Sequence, residues 1–181
     1  GTKEANPDVL IFVSRFDGEC WSTPRAVTPE VGVQHWNPVL FEMNGEVVLF
    51  YKMGYPIADW HTRYITSKDF GETWSEPREL VAGDVSGGRG PVKNQMIRLS
   101  NGTLLAPGST EDLCDRWESW TDYIDDNGAT WSAKRTIAQG SGTSGANDCG
   151  YGDAAIVASG QKVLVMAAAG DVCYPYASAT S

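Results

Sequence analysis

Ser67, Asp69, Thr73 and Trp74 crowd into the stretch SKDFGETWS, in the order S-x-D-x-G-x-T-W. A hydroxyl, a carboxylate and a second hydroxyl this close could activate a nucleophile or move a proton. Other residues invite the same question. His35, one of two histidines, stands beside Trp36 and could act as general acid or base. Glu111 in STED could do so if burial raised its pKa. Asp153 opens an apolar stretch, GDAAIV. Arg89 and Lys93 flank Gly90-Pro91 and would supply cations to an anionic ligand. Asn94, Trp60, Trp117 and Tyr151 add an amide and aromatic faces. Each also has a plainer reading: an interior hydrogen-bonded histidine, a loop carboxylate, an aspartate bonding backbone N–H groups, or a cation that is solvated or paired with Asp84.

The elements that must position these residues follow from an internal repeat. IDDNGATWS keeps the motif at Asp126, Gly128, Thr130 and Trp131, with Ile124 in place of serine. SRFDGECWS keeps Ser14, Gly18 and Trp21, with Phe16 at the aspartate position. Trp21, Trp74 and Trp131 set a period of about 55 residues. A second pattern repeats in phase: an apolar strand, a tight turn at Asn44-Gly45, Asn101-Gly102 or Ser159-Gly160, and a second apolar strand. Asn-Gly predicts a type I′ hairpin, with φ > 0 at both turn residues. A third strand (HTRYITS, ESWTDYI) precedes each motif and a fourth (PRELV, KRTIA) follows it.

Four antiparallel strands per unit at this period predict an all-β fold, a β-propeller of four-stranded blades. The expected divisions are a blade end at 8–29, blades at 30–83 and 84–139, and a partial blade at 140–181, about three and a half blades in a single region. The motif then belongs to the turn between strands three and four. Ser67 and Asp69 would satisfy turn N–H groups, Gly71 would take the φ > 0 position and Trp74 would bury its ring between strands.

Composition narrows the function. Hydrophobic residues make up 41 % and charged residues 20 %, a balance that buries a core. A net charge of −9 argues against a nucleic-acid backbone or an anionic membrane as partner, since both are bound by Lys and Arg. No apolar run reaches the roughly 20 residues of a membrane span. Cys20, Cys114, Cys149 and Cys173 form no CxxC pair, which speaks against zinc. A disulfide among them would mean an exported protein, and a secreted or extracellular setting is the expectation. Asn101-Gly102-Thr103 permits glycosylation.

The motif is the Asp-box, and the chain resembles the sialidase-like Asp-box (BNR repeat) β-propellers of bacterial and fungal sialidase-family proteins. HWNPVLF, LFYKMG, GRGPVKNQ and LAPGSTE carry the resemblance, and NDCGYGDAAIVAS looks like the secreted exo-α-sialidases. It implies a glycoside hydrolase that removes a terminal acidic sugar, sialic acid first, from glycoconjugates. The alternatives are a lectin-like propeller that binds without cleaving, or a lyase or hydrolase acting on uronic-acid glycans. Asp153 matches the family aspartate that lines the sugar pocket, with Ala154 where the family has proline. The early F/Y-R-I-P segment, the late tyrosine nucleophile and the later arginines have no counterpart here.

In such a propeller the Asp-boxes lie on the bottom. The top is built from 30–37, 53–60, 84–94, 109–117, 140–153 and 170–176. Asp153, Glu111 and His35 are the candidate catalytic residues there. Arg89, Lys93, Asn94, Trp36, Trp60, Trp117 and Tyr151 are the candidate sugar-binding ones. A Cys149–Cys173 disulfide is the preferred pairing. No cofactor is expected, although acidic top loops could hold Ca²⁺. The blade count leads to the expectation that further chain, a second copy or a separate polypeptide, completes the ring.

Overall fold

Strands pair with their neighbours in sequence throughout the computed structural model, which describes residues 3, 5–111, 117–124, 130–131, 135–139, 151–160 and 162–169. β1 (Phe12–Val13) pairs with β2 (Arg25–Ala26). β3 (His35–Met43), β4 (Glu46–Met53), β5 (His61–Ser67) and β6 (Arg78–Glu79) form a four-stranded antiparallel sheet in chain order. β7 (Ile97–Arg98), β8 (Leu104–Glu111), β9 (Trp117–Ile124) and β10 (Arg135–Gln139) form a second. β11 (Tyr151–Ser159) and β12 (Lys162–Ala169) form a two-stranded sheet. A 3₁₀ turn at Ile57–Asp59 is the one helical segment among the described residues.

The hairpin turns split into two kinds. Asn44 and Gly45 have φ of 56° and 80°, the type I′ turn predicted. At the second hairpin only Gly102 has positive φ, at 92°. Its N–H bonds the Leu99 carbonyl, and Thr103 N–H bonds the Asn101 side chain. This is a longer loop with glycine in the left-handed position, because an extra residue separates the strands. The inner strand expected at GPVKNQMIRLS shrinks to Ile97–Arg98. Pro91 lacks an N–H, and Lys93 takes φ 57°, which no strand residue adopts.

Strand alternation decides what each face of β4 meets. Val48 and Phe50 pack with Val39 against Met96, Leu104, Ala106 and Ile124 of the next sheet. Leu49 and Tyr51 pack with Ile65 on the opposite side, against Ile11 and Val27. Two of the three motif tryptophans sit in these inter-sheet layers. Trp74 joins the Ile11 cluster, while Trp131 meets Phe50 edge-on with centroids 5.8 Å apart. The expected burial between strands is therefore also burial between successive sheets. Trp21 is 70 % exposed and tilts against Phe16 at 5.4 Å.

The Asp69 carboxylate closes the SKDFGETWS turn. It accepts from Thr73 N–H (2.9 Å), Thr73 Oγ1 (2.6 Å) and Ser67 Oγ (2.8 Å), while Ser67 Oγ takes the Gly71 N–H at 2.7 Å. The Thr73 bonds lead in holding its pKa down to about 2. Every polar atom that suggested chemistry is spent on the turn. In SRFDGECWS the task moves one position: Asp17 accepts from the N–H groups of Glu19 and Cys20. Asp126 and Gly128 of the third motif lie outside the described residues.

Candidate functional site

His35 begins β3 and is buried. Its Nδ1 lies 2.9 Å from the Val9 carbonyl, an acceptor only, so Nδ1 is the donor of that bond. Nε2 faces Glu30 Oε2 at 3.7 Å and has no hydrogen-bond partner. Glu30 gathers further groups: Tyr51 Oη lies 3.4 and 3.5 Å from its oxygens and Arg63 Nε 3.8 Å from Oε1. Burial, and then the Glu30 charge, push the Tyr51 hydroxyl above its ordinary pKa. Sequence reasoning missed Glu30. Its place just before an inner strand was the available signal.

β3 bulges between Trp36 and Val39, where Asn37 turns to φ 47° ahead of Pro38. Trp36 Nε1 donates to the Gly54 carbonyl at 3.0 Å and its ring lies 5.3 Å from Trp60. Trp60 is buried, so Trp36 is the ring of this pair nearer solvent. His35, Trp36, Asn37 and Pro38 line a cavity of about 400 Å³ with Lys3 and Val9. A second cavity, about 320 Å³, continues along β3 past Pro38 to Leu40, bounded by β1, Trp74, Lys93 and Gln95. Lys93 and Asn94 follow Arg89 in the segment ahead of β7. Lys93 is exposed and Asn94 half-buried, its N–H on the Val92 carbonyl.

Arg89 points elsewhere. Its Nε lies 3.0 and 2.9 Å from the two Asp122 oxygens and its Nη2 2.5 Å from Oδ1. Gly90 N–H adds a bond to Oδ2 at 2.8 Å. Asp122, on β9, is fully buried, and its bonds hold the Arg89 pKa above the ordinary value. The direct ion pair is with a residue 33 positions away, and Asp84 adds a longer-range attraction. Beneath them Lys52, wholly buried, donates to Thr62 Oγ1 (2.5 Å) and the Arg89 carbonyl (2.7 Å). Burial is the largest cause that lowers its pKa to about 7. Gly88 permits this approach: a Cβ there would stand 3.1 Å from Lys52 Nζ, at a φ of 91°. Lys52 and Asp122 were also missed, because each reads as an ordinary strand residue.

Glu111 ends β8 opposite Trp117, the first residue of β9. Tyr151 begins β11, with Asp153 two residues on, and β11 lies against β8 and β9. By strand sense these four occupy the same ends of their sheets as His35 and Trp36 do in theirs; their side chains are outside the described set. Cys114, Cys149 and Cys173, and the acidic loop residues Asp112, Asp115, Asp148 and Asp171, lie outside the described residues. Cys20 is exposed with a free thiol. Among the described residues no group of three or more His, Cys, Asp or Glu could hold a metal ion, and no helix is long and apolar enough to cross a membrane.

The model of the BNR repeat-like domain matches residues 1–168. The chain belongs to the BNR repeat-like family. A comparison with curated proteins gives no match. Among solved structures, this BNR repeat-like chain is similar to a protein of unknown function from Dyadobacter fermentans. The TM-score is 0.67 at 15 % identity, covering 95 % of this chain and 54 % of that one. It is also similar to the Hadza microbial sialidase Hz136 (TM-score 0.64, 17 % identity, 86 % of this chain and 34 % of that one). A third is Trypanosoma rangeli sialidase in complex with 2,3-difluorosialic acid, at TM-score 0.63 and 16 % identity, covering 90 % of this chain and 30 % of that one. The chain therefore spans between about half and a third of the length of these structures. At these identities the likeness establishes the fold: antiparallel blades of a β-propeller, seen among the described residues as two four-stranded sheets and two two-stranded ones.

Proposed function

We propose that the chain is part of a glycan-active, sialidase-like protein that removes a terminal acidic sugar, with sialic acid as the first candidate. The observation that carries this is the cavity of about 400 Å³ at the start of β3, where an indole, an imidazole, an amide and an ammonium converge. Trp36 stacks on the apolar face of the sugar, Asn37 bonds hydroxyls, and Lys3 and Lys93 attract the carboxylate. Asp153 and Glu111 act as the proton-transferring carboxylates and His35 assists, with Trp117, Tyr151, Asn94 and Trp60 completing the walls. Arg89 contributes by holding the loop of Lys93 against Asp122. A disulfide among the remaining cysteines would accompany a secreted setting.

A non-catalytic, lectin-like role is the second reading. It is favoured by the burial of His35 and by the commitment of Arg89 to Asp122. Hydrolysis of a fluorogenic sialoside separates the two. Turnover that is lost in Asp153→Ala, with the melting temperature retained, supports the hydrolase. Sialoside binding with no turnover refutes it in favour of the lectin.

A further inference from the structure

The two cavities on β3 are adjoining lobes along that strand, with Ile11 and Pro38 lining both. Each lobe pairs one indole with one ammonium: Trp36 with Lys3 in the first, Trp74 with Lys93 in the second. We propose that the two lobes take an acidic oligosaccharide of at least two residues, one sugar in each lobe. The inference rests on the acidic-glycan reading above and deepens it from a terminal sugar to a chain.

The pairing is what a repeating acidic saccharide requires. Each unit presents an apolar C–H face to stack on an indole and a carboxylate to meet a cation. The strip between the lobes is apolar, and Pro38 offers no N–H there. The bulge at Trp36/Val39 bends β3 so that one strand borders both lobes. Gln95 adds an amide to the second lobe.

Calorimetry on the full chain would compare sialic acid with its α2,8-linked dimer and trimer, galacturonic acid with its dimer and trimer, and neutral maltotriose. In one of the two acidic series the dimer is expected to bind at least tenfold tighter than the monomer. Lys93→Asn should abolish that gain, while Lys3→Gln should weaken monomer and dimer alike. Asn tolerates the positive φ at this exposed position, so the fold is retained. Equal affinity for monomer and dimer, or a gain that survives Lys93→Asn, overturns the two-lobe proposal and leaves the single-sugar reading standing. Maltotriose binding as tightly as the acidic trimers overturns the requirement for charge. Failure of every acidic sugar to bind overturns both readings.

Discussion

Replacing Lys52 by methionine should stabilise the protein at neutral pH and flatten its pH dependence. The Lys52 ammonium is wholly buried between two sheets, and its pKa falls from 10.5 to about 7, chiefly through burial. Below pH 7 the amine is protonated in both folded and unfolded chains, and folding bears the full cost of burying the charge. Between about 7 and 10.5 the unfolded chain binds a proton that the folded one does not. Stability therefore rises with pH across that window, by about 1.4 kcal/mol per unit. From pH 7 to pH 9 the gain is about 3 kcal/mol, or roughly 6–12 °C in melting temperature for a chain of this size. Methionine fills the space of the lysine stem without the charge. The Arg89 carbonyl keeps the Thr62 hydroxyl as donor, so the hydrogen bonds lost are those of the amine alone. The variant should be more stable at pH 7 by on the order of 1–3 kcal/mol. Thermal melts of both proteins from pH 6 to pH 9.5 provide the test. A wild-type melting temperature that is level from pH 7 to 9, or a Lys52→Met protein less stable and equally pH-dependent, would refute the reasoning.

Asp122→Ala removes the buried carboxylate that pairs directly with the Arg89 guanidinium and should cost about 3–5 kcal/mol, read from urea unfolding. Asp69→Asn weakens the turn that its carboxylate closes. The wild type should lose the Asp69 contribution as pH falls from the ordinary carboxylate range towards 2, because its folded pKa is depressed, and the variant should lack that acid-side loss in melts from pH 5 to pH 2. Gly108→Ala places a methyl group 2.3–2.6 Å from the Trp120 ring across the β8–β9 pair; the overpacking should cost about 1–3 kcal/mol in the same unfolding assay.

Much of the fold was legible because its signals are local. Asn44-Gly45 encodes its own turn, and Ser67, Asp69 and Thr73 satisfy one another within a few residues. The Asn101-Gly102 hairpin was misread in detail, since strand register, and not the dipeptide, decides whether one or two residues take positive φ. The site was less legible. Arg89 reads as an open cation beside glycines, yet Asp122 occupies its guanidinium. His35 was marked for its chemistry, but Glu30, which faces it, was not.

By itself the sequence determined the all-β class, the period near 55 residues, the sheet order and the structural nature of the Asp-box. These follow from turn chemistry and strand alternation, which act over short separations. Only the tertiary structure decided that Lys52 is buried beside the Arg89–Asp122 pair, that Trp74 and Trp131 wedge between successive sheets, and that Trp36 and Trp74 border adjoining cavities. A side chain on a strand looks the same in sequence whether it meets water or a neighbouring sheet. The stacking of sheets settles which, and with it the charge, the burial and the partners of every candidate residue.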